Sequence, residues 1–69
     1  MSKKLSTIGK NIKKHRKRLN ISQDKLSKLA NVTVHTITKI ESGITSDPRI
    51  ETVKKIANAL SVGIDDLIK

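Results

Sequence analysis

The sequence predicts an all-α fold of five short helices. Three observations point there: apolar residues recur at steps of three and four, capping and stopping residues interrupt them at short intervals, and the β-branched run over 32–40 still keeps helical spacing through Val32, Ile37 and Ile40. With 69 residues, 35% of them apolar, the chain has material for one small core, so 1–69 is read as a single domain. It shows no internal repeat, linker or low-complexity tract.

Leu5, Ile8, Ile12, His15 and Leu19 mark an amphipathic helix over 5–19 whose other face carries bases, with Asn20 ending it. Ser22 is placed to cap a second helix with the stripe Leu26, Leu29 and Ala30, and Asn31 to close it in the left-handed conformation. Only a tight turn fits between Ala30 and Thr33. Val32 and Thr33 open the third helix, Thr33 as its cap, with Ile37 and Ile40 inward and Gly43 as the stop. Ile44 to Pro48 reads as a loop, and Asp47-Pro48 as the start of a fourth helix, where proline is tolerated in the first turn. Ile50, Val53, Ile56, Ala57 and Leu60 carry that helix inward. A last short helix follows Gly63, with Asp65 and Asp66 near the positive end of its dipole.

The formal charge of +9, from 15 Lys and Arg against 6 Asp and Glu, is unevenly placed. Lys3, Lys4, Lys10, Lys13, Lys14, Arg16, Lys17, Arg18, Lys25 and Lys28 face Asp24 alone in the first 30 residues, whereas bases and acids cancel in 31–69. Such asymmetry suits a polyanion, or a solvated helix face with surplus lysine. The chain has no Phe, Tyr or Trp on which single-stranded nucleic acid could stack, and no Cys for a disulfide or a thiolate metal site. No apolar run reaches a membrane span and no secretory signal is visible, so the cytoplasm is the expected compartment.

Two short helices joined by a tight turn meet the length requirement of a helix-turn-helix over about 22–43, in which the second helix enters the major groove. Stepping about 100° per residue from Ile37 points His35, Thr38, Lys39 and Ser42 away from the core, with Val34 on the flank. Lys39 can donate to guanine O6 and N7, His35 can pair with a purine, and Thr33, Val34 or Thr38 can touch a thymine methyl. Each has the alternative of an ordinary exposed side chain. Glu41 falls about 40° from Ile37 on the inner edge, where an unpaired carboxylate is expensive. Arg16 is the expected partner because a guanidinium suits a bidentate bond; Lys13 and Lys17 are the rivals.

Ile8-Gly9, Ile12, Arg16, Ser22-Gln23, Leu26-Ser27, Val32-Thr33, Ile37, Ile40-Glu41-Ser42-Gly43, Pro48 and Leu60 together resemble the Cro/CI-type helix-turn-helix domain of phage repressors and bacterial XRE-like regulators. The resemblance implies a lambda-repressor-like five-helix domain that binds double-stranded operator DNA as a homodimer and represses transcription. It implies that Gln23 touches phosphate and an outer base, that Thr33, Val34, His35 and Lys39 face bases, and that Ser22, Ser42 and Arg49 meet the DNA backbone. It also implies an Arg16–Glu41 ion pair. Val34 stands where several members have Gln, which forfeits bidentate reading of adenine there. Ile44, Ser46 and Asp47 lie in a loop that is often basic in the family, and His15 replaces a common Leu as a half-buried edge residue rather than a metal ligand.

Other function classes fit less well. Two His, no Cys and no glycine-rich phosphate loop leave no recognisable catalytic constellation, so neither an enzyme nor a cofactor or small-molecule ligand is expected. The length leaves no separate effector domain. Ile44, Ile64 and Ile68 are candidates for a homodimer seam, or else close the core. The rival function is an antitoxin-like or partner-binding module on the same fold. A membrane-surface helix is disfavoured because the basic helix has no Trp or Phe and needs its apolar stripe inside.

Overall fold

The computed structural model describes residues 7–45 and 47–68. Lys3, Lys4, Leu5 and Ser46, which figured in the sequence reading, lie outside them. Five helices follow one another: α1 (Thr7–Arg18), α2 (Gln23–Ala30), α3 (Val34–Ser42), α4 (Ile50–Leu60) and α5 (Ile64–Ile68). There is no strand among the described residues.

Local chemistry sets most boundaries. The Ser22 side chain accepts from the Lys25 N–H at 3.0 Å, and that of Thr33 from the Thr36 N–H at 3.1 Å, so α2 and α3 each begin on a hydroxyl cap. Ile21, Val32 and Val62 stand just before the starts of α2, α3 and α5, and each lies five positions ahead of a fully buried residue: Leu26, Ile37 and Leu67. That spacing is the hydrophobic staple, repeated three times. Asn20, Asn31, Gly43 and Ser61 close the first four helices with φ of 59°, 60°, 89° and 61°. Asparagine and glycine tolerate this region; Ser61 occupies it at some cost. α5 begins with the Gly63 N–H donating to Asp66 Oδ2 at 3.1 Å.

α4 starts differently from the expectation. Its cap is Arg49, which makes no side-chain cap bond, so Pro48 precedes the helix instead of sitting in its first turn. Three residues assigned to apolar stripes also face outward: Leu19, Leu29 and Ile50, at 47%, 52% and 59% exposure. Leu19 falls beyond the last residue of α1. In α2 the inward face is centred between Leu26, Ser27 and Ala30, which turns Leu29 away by about 110°. Ile50 is the first residue of α4 and lies about 120° from the buried Ile56. Ser27 can enter the core because its hydroxyl donates to the Asp24 carbonyl at 2.7 Å.

The core gathers Ile12 of α1, Leu26 of α2, Ile37 and Ile40 of α3, Ile56 of α4 and Leu67 of α5. α2 packs on α3 and α4, while α1 lies across α3 and α5. Asn11 of α1 donates to the Leu67 carbonyl at 2.7 Å, tying the last helix to the first. Where α1 crosses α3 the backbones nearly touch at Gly9: a Cβ there would collide with the Ile40 carbonyl oxygen and sit 3.1 Å from the Glu41 Cα. The backbone cannot yield as a flexible side chain can. Gly9→Ala is therefore expected to cost about 1–3 kcal/mol by overpacking. A thermal melt reads this as a midpoint lowered by at least about 4 °C, whereas Lys10→Ala on the exposed side of α1 leaves it in place.

Candidate nucleic-acid interface

α2 and α3 are joined by Asn31, Val32 and Thr33, and the pair is locked to α1 by one polar cluster. Arg16 Nε donates to Glu41 Oε2 at 2.7 Å and its second terminal nitrogen to Oε1 at 3.0 Å, a bidentate bond. Its remaining terminal nitrogen donates to the Ile21 carbonyl at 2.8 Å. One guanidinium thus holds α1, the turn before α2, and the end of α3. The side chains of Arg16 and Glu41 are 11% and 4% exposed, so both charges are buried and both are paired. Neither Lys13 nor Lys17 takes the bond. The hydrogen bonds that Arg16 donates to Glu41, and the charge of that carboxylate, hold the guanidinium above its ordinary range against the opposing effect of burial.

The cluster extends to residues expected to touch DNA. Gln23 Nε2 donates to Glu41 Oε1 at 3.0 Å, and the Thr38 hydroxyl donates to Gln23 Oε1 at 2.9 Å. Among the described residues no buried side-chain polar atom is left without a partner. These links were not foreseen in the sequence, although Glu41 on the inner edge beside the start of α2 was the available signal.

The outer surface of α3 is open. Val34, His35, Thr38, Lys39 and Ser42 are all exposed. Among the described residues nothing pairs with the side chains of Val34, His35 or Lys39. Thr33 is exposed as well, but its oxygen is engaged by the Thr36 N–H and hydroxyl. The Ser42 hydroxyl donates to the Lys39 carbonyl at 3.1 Å. Ser22 and Arg49 lie exposed at the starts of α2 and α4, on either side of α3 in sequence.

The bases of α1 divide about its buried Ile12. Lys13 and Lys17 line a cleft with Gln23, Thr38 and Ser42, on the side where Gly9 meets α3. Lys14, His15 and Arg18 line another with Val62 and Asp66 towards α5. His15 is half-buried there. Lys28 is drawn into an exposed pair with Asp24 at 3.4 Å. Of the three isoleucines considered for a seam, Ile44 and Ile68 are 75% and 51% exposed, while Ile64 is half-buried and packs against the core. Among the described residues no group of His, Asp or Glu comes together that could hold a metal ion, and no helix is long and apolar enough to cross a membrane.

The family model described as helix-turn-helix matches residues 12–67, which takes in α2, α3 and both members of the ion pair. No curated protein and no solved structure gives a significant match.

Truncating Arg16 leaves a buried carboxylate facing only Gln23. Arg16→Ala is expected to lower unfolding free energy by about 3–5 kcal/mol, and Arg16→Met combined with Glu41→Leu to recover most of it, as denaturant melts would show. A cation with a raised pKa keeps its stabilising effect below the ordinary value and loses it only as pH climbs through the raised one. The stability difference between the parent and the Arg16→Met, Glu41→Leu double variant, in which neither charge remains, should therefore stay constant from about pH 6 to 9, and a difference that drifts across that window would contradict the pairing.

Proposed function

The chain belongs to the Cro/CI-type, XRE-like helix-turn-helix family and is a DNA-binding transcriptional regulator, and from that premise we propose that it is a repressor, binding a palindromic operator as a homodimer with α3 in the major groove. The observation that carries this reading is the outer face of α3, where Val34, His35 and Lys39 are exposed and unpaired while the helix beneath them is fixed at Gly9 and Glu41. A rigid element with free donors and methyl groups can read base edges without losing much side-chain freedom elsewhere.

In this reading Val34, His35 and Lys39 face bases, with Thr33, Gln23 and Thr38 at the margins of the contact. Ser22, Ser42 and Arg49 meet the sugar-phosphate backbone; Arg49, free of any cap bond, can extend from the start of α4. Lys13 and Lys17, which line the cleft beside α3, add attraction for phosphate, as does the exposed Lys10. Ile44 and Ile68 supply the exposed apolar surface of a dimer seam, to which Ile64 contributes what the core leaves uncovered. Neither a cofactor nor a small molecule is required, and occlusion of a promoter in the cytoplasm is the mode of action.

The 75% exposure of Ile44 also favours the second reading, a module whose apolar loop binds another protein. Selection of bound duplexes from a random pool separates the two. A repressor yields a palindrome with half-sites about one helical turn apart, lost in a Lys39→Ala, His35→Ala double variant; uniform weak binding favours the partner-binding module. If about six phosphates are neutralised, log affinity falls with log salt at a slope near −5, and a flat response would contradict docking through the basic surface.

A further inference from the structure

Gln23 and Thr38 stand where base reading was expected, yet their polar groups are directed at each other. The Glu41 carboxylate already accepts two N–H groups from Arg16, and it can only accept. Gln23 must therefore turn its NH2 towards Glu41, which leaves its oxygen for the Thr38 hydroxyl. Thr38 and Glu41 are three residues apart, hence neighbours on the surface of α3. One helix thus engages both ends of the amide. The amide that could grip N6 and N7 of adenine is thus pinned at both ends inside the protein, with one N–H and one oxygen lone pair already used and its plane fixed by α3. Gln23 keeps one N–H and one lone pair on its oxygen, and the N–H is enough for a single bond to a phosphate oxygen.

Discrimination is left to Val34, His35 and Lys39. Val34 is 42% exposed and offers only methyl groups, whose complement in the major groove is the C5 methyl of thymine. Lys39 offers only donors, and guanine is the base with two major-groove acceptors. Five residues of helix separate them, a rise of about 7.5 Å. At roughly 3.4 Å per base step this spans about two base pairs.

Resting on the DNA-docking reading above, we propose that each half-site pairs a thymine, read by Val34 through its methyl group, with a guanine read by Lys39 about two base pairs away. Gln23 anchors the backbone without discriminating between bases. His35, one turn before Lys39 on the same face, covers the step between the two.

Sequences selected by the full chain test this directly. The expected motif contains thymine and guanine at that separation. Replacing the thymine by uracil, which removes only the methyl group, should weaken binding by the parent about fourfold and leave binding by Val34→Ser unchanged. Lys39→Met should lose about tenfold or more of the preference for guanine while keeping the thymine. Gln23→Ala should weaken binding to all duplexes alike, with Gln23→Met as the variant that keeps the buried stem if the alanine form melts low. A motif without this pair, indifference of the parent to uracil, or a base preference that changes in either Gln23 variant would overturn the assignment. Uniform binding by the parent with no motif would overturn the docking reading itself, and this inference with it.

Discussion

A single buried guanidinium organises the meeting of α1, α2 and α3. Arg16 closes on Glu41 and on the Ile21 carbonyl, so the orientation of α3 relative to α1 and the path into α2 share one set of bonds. Two charges taken from water are costly, and an apolar pair of similar volume would stabilise the fold at least as well. What the ion pair adds is direction. Bidentate geometry admits one arrangement, whereas apolar side chains tolerate sliding. Gly9 fixes the same crossing from the other side by letting the α1 backbone come up to Ile40 and Glu41. If α3 docks as proposed, a tilt of a few degrees would shift the Lys39 head group by about an ångström, enough to spoil a hydrogen bond to a base edge, so a rigid crossing would serve recognition as well as stability.

Much of this was legible in the sequence, for reasons that differ from residue to residue. Ser22, Thr33, Asn31 and Gly43 are local signals, since a hydroxyl before a helix or a left-handed residue after it needs no distant partner. The inward position of Glu41 follows from helical spacing alone, and the need for a cation follows from its charge. Ser61 was not legible as a helix stop because serine seldom adopts positive φ; its N–H donates to the carbonyls of Ala57 and Asn58, and that of Val62 to Ala57, which closes the helix there. Leu29 and Ile50 show the limit of periodicity in short helices. In α2, with about two turns of pattern, the centre of the buried face is set by the neighbour and not by the most apolar residue, whereas Ile50 stands at the very start of the longer α4, at the end of its stripe. The Gln23–Thr38 bond joins residues 15 apart and depends on how α2 and α3 dock, which no local pattern encodes.

The division of the α1 bases bears on how the charge of +9 is used. Only the side carrying Lys13 and Lys17 opens beside α3, whereas Lys14 and Arg18 stand towards α5. Both groups raise the potential felt by a polyanion at a distance, because that potential decays over a Debye length of about 8–10 Å at moderate salt. Only the first group can also form short-range contacts to a strand lying along α3. Net charge therefore overstates the number of phosphates neutralised, and the attraction at long range exceeds what the final contacts retain.

On the docking proposed above, the polar cluster also accounts for how a base-reading surface can be small without being loose. Val34 in place of a glutamine gives up one bidentate contact, and Gln23 and Thr38 are engaged with each other. In exchange, the side chains left to read bases stand on a helix whose hydrogen-bonding groups beneath the surface are already satisfied. A free Gln23 would have to lose rotamer freedom on binding and would compete with water for the same bases. Held by Glu41 and Thr38, it loses that freedom on folding instead, and what it would offer a duplex is an amide edge at a fixed place. Discrimination then rests on few contacts, each of which costs little to form and is correspondingly sensitive to the wrong base.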